Sequence, residues 1–185
     1  HGRGVILPFF KRPRNRGHIC IGIDVSGSMG NEDVRAAVVE TISLLNVIGM
    51  GHKVTIVQMD DGIVDWQEFL TGSPKLEEFR RDIEKNGFHR HGAGGTEYNE
   101  LFEIFSGAEI RKQVEHGNKI PEKFMDRDYG VPMRVEPADV MLVFTDWGFS
   151  DTNLAELKKT ALFWVGVTDR PGYAKPRQGE IIECD

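Results

Sequence analysis

His18-Ile19-Cys20-Ile21-Gly22-Ile23-Asp24-Val25-Ser26-Gly27-Ser28, residues 18–28, is the stretch on which the reading of this chain turns. Its first six residues form a short apolar, β-branched run of the kind that makes a fully buried strand. From Asn31 onward the apolar positions recur at helical spacing. A strand that ends in Asp-x-Ser-x-Ser and then turns into a helix puts one carboxylate and two hydroxyls on a single tight loop. Hard divalent cations such as Mg²⁺ take oxygen donors of this kind and tolerate neutral hydroxyls, because they keep several waters. Serine, glycine and aspartate also fill ordinary turns, so the motif alone leaves both readings open.

Two later stretches narrow the choice. Gly94-Gly95-Thr96-Glu97 is a glycine-rich loop that ends in a hydroxyl just before a helical pattern. Val140-Met141-Leu142-Val143-Phe144-Thr145-Asp146 is a second buried run that ends in an aspartate. These three elements, in this order, resemble the metal-ion-dependent adhesion site (MIDAS) of von Willebrand factor A (VWA) domains. The resemblance spans about Ile19 to Val167 and is strongest to a bacterial and phage VWA-like branch associated with metallopeptidase-like regions, with Gly2-Arg3-Gly4-Val5 as a matching lead-in. It implies a metal site built from Asp24, Ser26, Ser28, Thr96 and Asp146. The chain departs from the family pattern after the last aspartate, where the usual glycine is replaced by Trp147, with Gly148 following.

The 185 residues suit one domain with a substantial core. The expected division is a lead-in arm over 1–17 and a VWA-like domain over 18–185, with 116–137 as an insertion loop. No apolar run approaches the roughly 20 residues of a membrane helix, and the chain opens on His1 without a signal-peptide pattern, as a piece of a longer protein would. A net charge of −6 argues against a general nucleic-acid binder, whose affinity comes from cationic contacts with phosphate. Cys20 and Cys184 could pair only if Cys184 lay on a strand beside the first. Two cysteines make no disulfide framework, and a reduced, cytoplasmic protein is the expectation.

Along the chain, Lys11–Arg16 carries a basic cluster that reads as a solvated loop. A helix is expected from Asp33 to Ile48, with Gly49 and Gly51 to stop it. Strands over Lys53–Met59 and Ile63–Phe69 form a hairpin around the turn Asp60-Asp61-Gly62. The pattern predicts further helices over Pro74–Asn86, Tyr98–Val114 and Thr152–Lys159, the first of these ended by Gly87. Strands are expected over Asp139–Thr145, Leu162–Val167 and Glu180–Cys184. The loop histidines of His89-Arg90-His91 lack a third ligand nearby in sequence and read as surface groups beside the loop that carries Thr96.

Buried strands alternating with helices, apart from one hairpin, imply an α/β, doubly wound, mostly parallel central sheet of Rossmann-like VWA type with one antiparallel edge strand. In such sheets ligands bind beyond the carboxyl ends of the strands, where Asp24 and Asp146 both stand. No Gly-x-Gly-x-x-Gly turn, P-loop or Gly-x-Ser-x-Gly elbow is present. The resemblance implies binding rather than turnover: a divalent cation, Mg²⁺ first with Mn²⁺ or Ca²⁺ as alternatives, is completed by an Asp or Glu of a partner protein. The branch further implies a MoxR-type AAA+ ATPase, or its complex, as that partner. The alternative is a Mg²⁺- or Mn²⁺-dependent hydrolase using His89, His91 or Glu97 as base.

Overall fold

In a computed structural model the described residues are 16–106, 136–149, 154–167 and 176–183. The lead-in arm, most of the expected insertion and Cys184 lie outside them. Six strands form one sheet: β1 (His18–Asp24), β2 (Lys53–Met59), β3 (Ile63–Leu70), β4 (Val140–Thr145), β5 (Ala161–Gly166) and β6 (Glu180–Glu183). Three helices accompany them: α1 (Asn31–Val47), α2 (Pro74–Asn86) and α3 (Asn99–Ser106). The strand order is β3-β2-β1-β4-β5-β6. Every neighbouring pair is parallel except β2–β3, so β3 is the antiparallel edge strand. The α/β, mostly parallel, doubly wound architecture is the one the sequence predicts.

The central strand explains the two-layer core. Along β1, Ile21 and Ile23 face the layer that holds α1 and α2, whereas Cys20 faces the layer that holds α3. A strand covered on both faces needs a continuous apolar run rather than alternation, and residues 19–23 supply one. Gly22 is the exception that permits close packing. A Cβ there would come within 2.7 Å of Met59 Cε and 3.2 Å of Leu101 Cδ2, so the absent side chain lets α3 lie against β1.

Local chemistry fixes the helix ends. In α1 the buried Val34, Ala37, Val38, Thr41, Leu44 and Leu45 recur every three or four residues. The Asp33 carboxylate reaches back to accept from the Gly30 N–H at 2.9 Å, and the buried Thr41 hydroxyl donates to the Ala37 carbonyl at 2.8 Å. In α2, Ser73 caps the N-terminus by accepting from Leu76 N–H, with Pro74 at the first helical position. Gly87 closes it at φ 80°, ψ 177° and donates its N–H to Ile83. Helix α3 is described over Asn99–Ser106, and residues 107–114 of the expected Tyr98–Val114 lie outside the described residues.

One expectation is corrected. No helix forms over the described part of Thr152–Lys159, residues 154–159. There the Gln178 side chain accepts from Leu157 N–H at 3.1 Å and donates to the Ala155 carbonyl at 2.9 Å, so groups a helix would pair internally are tied to the segment before β6. Cys20 is a buried free thiol, and Cys184 lies outside the described residues. No helix among the described residues is long and apolar enough to cross a membrane.

Candidate metal centre

In a sheet of order β3-β2-β1-β4-β5-β6 the chain runs outward from β1 on one side and from β4 on the other. The loops leaving these two strands diverge, and a crevice opens at their carboxyl ends. Asp24 is the last residue of β1, Thr145 the last of β4, and Asp146 follows directly. Asp24, Ser26, Thr145 and Asp146 are all fully buried, while Ser28 is exposed.

The loop after β1 is held by its own short-range contacts. Ser26 N–H donates to Asp24 Oδ1 at 2.8 Å, and the hydroxyls of Ser26 and Ser28 lie 3.2 Å apart. Alternate residues of the extended turn therefore present their oxygens together, as the spacing requires. The loop after β4 closes on the same point. Gly148 N–H donates to Asp146 Oδ1 at 2.9 Å, and a Cβ on Gly148 would stand 2.9 Å from that oxygen and 3.4 Å from Ser28 Oγ. Asp24, Ser26, Ser28 and Asp146 thus converge.

Thr96 arrives on the third loop. Two residues before it, the Gly94 carbonyl accepts from Gly27 N–H at 2.8 Å. Two residues after it, the Tyr98 hydroxyl donates to Asp24 Oδ2 at 2.5 Å. The backbone on both sides of half-buried Thr96 is therefore fastened to the Asp24–Ser28 loop. Asp60 and Asp61 stand behind the glycines: Asp60 Oδ2 accepts from Gly94 N–H at 3.3 Å, and the Asp60 carbonyl accepts from Glu97 N–H at 2.6 Å. A Cβ at Gly94 or Gly95 would meet the Asp61 carboxylate, so a side chain there would have to push that carboxylate aside.

Trp147, the residue after Asp146, holds an uncommon backbone conformation. Trp147 adopts φ 69°, the left-handed region that glycine enters without steric cost. A non-glycine residue held there costs of order 1–3 kcal/mol and persists only when its surroundings enforce it. Here Trp147 N–H donates to Thr145 Oγ1 at 3.0 Å, and its indole covers Gly166, where a Cβ would meet Nε1 at 2.7 Å.

Burial raises the pKa of Asp24 above the ordinary carboxylate value; hydrogen bonds from Ser26 and Tyr98 oppose the shift, and the charge of Asp146 adds to it. Burial first and the Asp24 charge second also raise Tyr98 well above an ordinary phenol, so it stays protonated and remains a donor. Among the described residues, the hydrogen-bond partners of Asp24 are neutral: Ser26 N–H, the Tyr98 hydroxyl and, at 3.4 Å, the Thr145 hydroxyl. Two buried carboxylates within electrostatic reach of each other, beside two converging hydroxyls, form a donor set that a hard divalent cation fits. No group of three or more His, Cys, Asp and Glu that could hold a metal stands among the described residues.

Tyr98, Thr145 and Arg90 hold this site, and the sequence reading gave none of them that role. Tyr98 is 1% exposed and its ring packs against Phe149 and Trp164. Its signal was a phenol two residues beyond the hydroxyl of a glycine loop. Two of the three alternative bases line a different feature. His89 and His91 are exposed and line a groove of about 380 Å³ between β3 and α2, together with Gln58, Phe69, Phe79 and Phe88, and none of the five candidate ligands lines it. Glu97 Oε1 accepts from the Asn99 side chain at 2.6 Å.

No family model matches this chain, and no curated protein matches it. One solved structure similar to it is the crystal structure of an aerotolerance-related membrane protein from Bacteroides fragilis NCTC 9343 with multiple mutations to serines. The two are 12% identical, with 91% of this chain and 92% of that chain covered at a TM-score of 0.45. A likeness at that level carries no argument about the site.

Proposed function

We propose that this chain is a divalent-metal-dependent protein-binding module in which Asp24, Ser26, Ser28, Thr96 and Asp146 hold a cation, Mg²⁺ first among the candidates. One observation carries the reading: Asp24 and Asp146 are fully buried at adjacent strand ends of the switch point, and the groups that hydrogen-bond Asp24 are neutral. Burial disfavours the charged form of the Asp24 carboxylate, and a cation bound beside it offsets that cost. When bound, a hard cation supplies an electrophilic position able to take a further carboxylate. Two carboxylates and three hydroxyls leave the ion incompletely surrounded, so an Asp or Glu of a partner protein completes it. A MoxR-type AAA+ ATPase is the partner class that the resemblance to VWA domains suggests.

The chain's own residues set the geometry. Ser26 N–H and Tyr98 orient the two oxygens of Asp24, and Gly148 N–H orients Asp146. The test is thermal unfolding in EDTA and then in Mg²⁺, Mn²⁺ or Ca²⁺, for the parent and for Asp24→Ala. A ligand bound only by the folded state raises stability by about 2.7 kcal/mol at a hundred times its Kd. A metal-dependent rise in the parent that disappears in Asp24→Ala is the expected result. No rise at millimolar metal, or an equal rise in the variant, refutes the proposal.

A further inference from the structure

We infer that Arg90 is the positioning residue that assembles the metal site, by locking the Asp24–Ser28 loop to the glycine loop before any cation arrives. The inference rests on the metal-binding reading and adds to it a residue outside the ligand set. Arg90 lies half-buried between two exposed histidines, on the segment that leads into Gly92–Thr96. Its Nε donates to the carbonyls of Val25 at 3.1 Å and Gly92 at 3.0 Å. Its Nη1 donates to the Met29 carbonyl at 3.0 Å and, at 3.4 Å, to the Asn31 side chain. Its Nη2 donates to the Val25 carbonyl at 3.0 Å and to the Ser26 carbonyl.

All these acceptors are neutral, and those on Val25, Ser26 and Met29 belong to the loop that carries Ser26 and Ser28. Five N–H donors in a rigid fork suit a cluster of carbonyls converging from several directions, a task a single ammonium cannot perform. Carbonyls turned toward Arg90 fix the peptide planes of the loop. Those planes in turn set Ser26 N–H on Asp24 and Gly27 N–H on Gly94. Because Arg90 and Gly92 are themselves joined, the same guanidinium anchors the start of the loop that brings Thr96. Tyr98 anchors its end. The site is thereby organised without the cation, and the ion need not spend binding energy ordering it.

Groups that orient metal ligands typically change affinity by about 10–100-fold when removed. The experiment measures Mn²⁺ affinity by the EPR signal of the free ion, and amide exchange over residues 25–29 in EDTA, for the parent, Arg90→Met and Arg90→Lys. The expected result for Arg90→Met is a Kd raised about 10–100-fold in folded protein, with faster exchange at the loop amides. Arg90→Lys recovers part of both effects, because it supplies charge without the fork. If Arg90→Met does not fold, Arg90→Lys against the parent decides the same comparison. An unchanged Kd and unchanged exchange in the folded variant overturn the inference. A parent that binds no Mn²⁺ overturns the metal reading instead, and the exchange arm then reports separately whether Arg90 orders the loop.

Discussion

Tyr98→Phe removes one oxygen from the interior and leaves the rest of the side chain in place. The ring stays packed against Phe149, at 4.9 Å between centroids, and against Trp164, at 6.0 Å, so little apolar contact is lost. What disappears is the donor to Asp24 Oδ2, together with the 2.9 Å contact to Thr145 Oγ1. A hydrogen bond to a charged group contributes about 1.5–3 kcal/mol. Thr145 cannot replace it without moving, because its hydroxyl is 3.4 Å from the same oxygen. The expected loss in EDTA at neutral pH is therefore about 2 kcal/mol, or roughly 4–8 °C in Tm for a chain of this size. Urea unfolding of the parent, Tyr98→Phe, Asp24→Asn and the double variant measures it as a cycle. A coupling of at least about 0.5 kcal/mol between the two sites is predicted. A Tyr98→Phe loss below that value, or additive effects of the two substitutions, would show that the phenol does not support an ionised Asp24.

Two further predictions concern residues away from the ligands. Gly87 closes α2 at φ 80°, ψ 177°, a conformation essentially reserved for glycine, and a Cβ there would meet nothing within 4 Å. Gly87→Ala should cost about 1–3 kcal/mol in urea unfolding through the backbone alone, and a neutral substitution would refute this. His18 is buried, with Nδ1–H donating to the Glu136 carbonyl at 3.1 Å and Nε2 accepting from the Thr55 hydroxyl at 2.7 Å. Burial chiefly, and the charge of Lys53 next, lower its pKa below 6.5. The unfolded chain then binds a proton that the folded chain refuses. Its contribution to stability is complete above about pH 6.5 and is lost as pH falls toward the folded value, with a slope of at most about 1.4 kcal/mol per pH unit. His18→Gln should flatten the stability profile between pH 7.5 and 5, and identical slopes in the two proteins would contradict the assignment.

Residues 18–28 made the fold legible because a strand buried on both faces must be apolar throughout, and because the loop that ends it must turn in the crevice of the sheet. The hairpin was equally plain from Asp60-Asp61-Gly62, and α2 from its amphipathic face and its terminal glycine. The helix expected before β5 does not form because Gln178, 21 residues beyond Leu157, takes backbone groups a helix would use. In the site, Asp24 and Asp146 could be placed from strand ends alone. Arg90 and Tyr98 could not, since their roles depend on one loop folding over another, and no local spacing encodes that contact. At Trp147 a left-handed backbone is kept by an indole seated on Gly166.

The central claim is that Asp24 and Asp146 share one divalent ion. Equilibrium titration with Mn²⁺, counted by EPR and paired with circular dichroism to confirm folding, tests it on the parent, Asp24→Asn and Asp146→Asn. The account predicts one ion bound per parent chain and none by either folded variant at the same concentration. Binding that survives both substitutions, or a folded parent that takes up no ion at millimolar Mn²⁺, would contradict it.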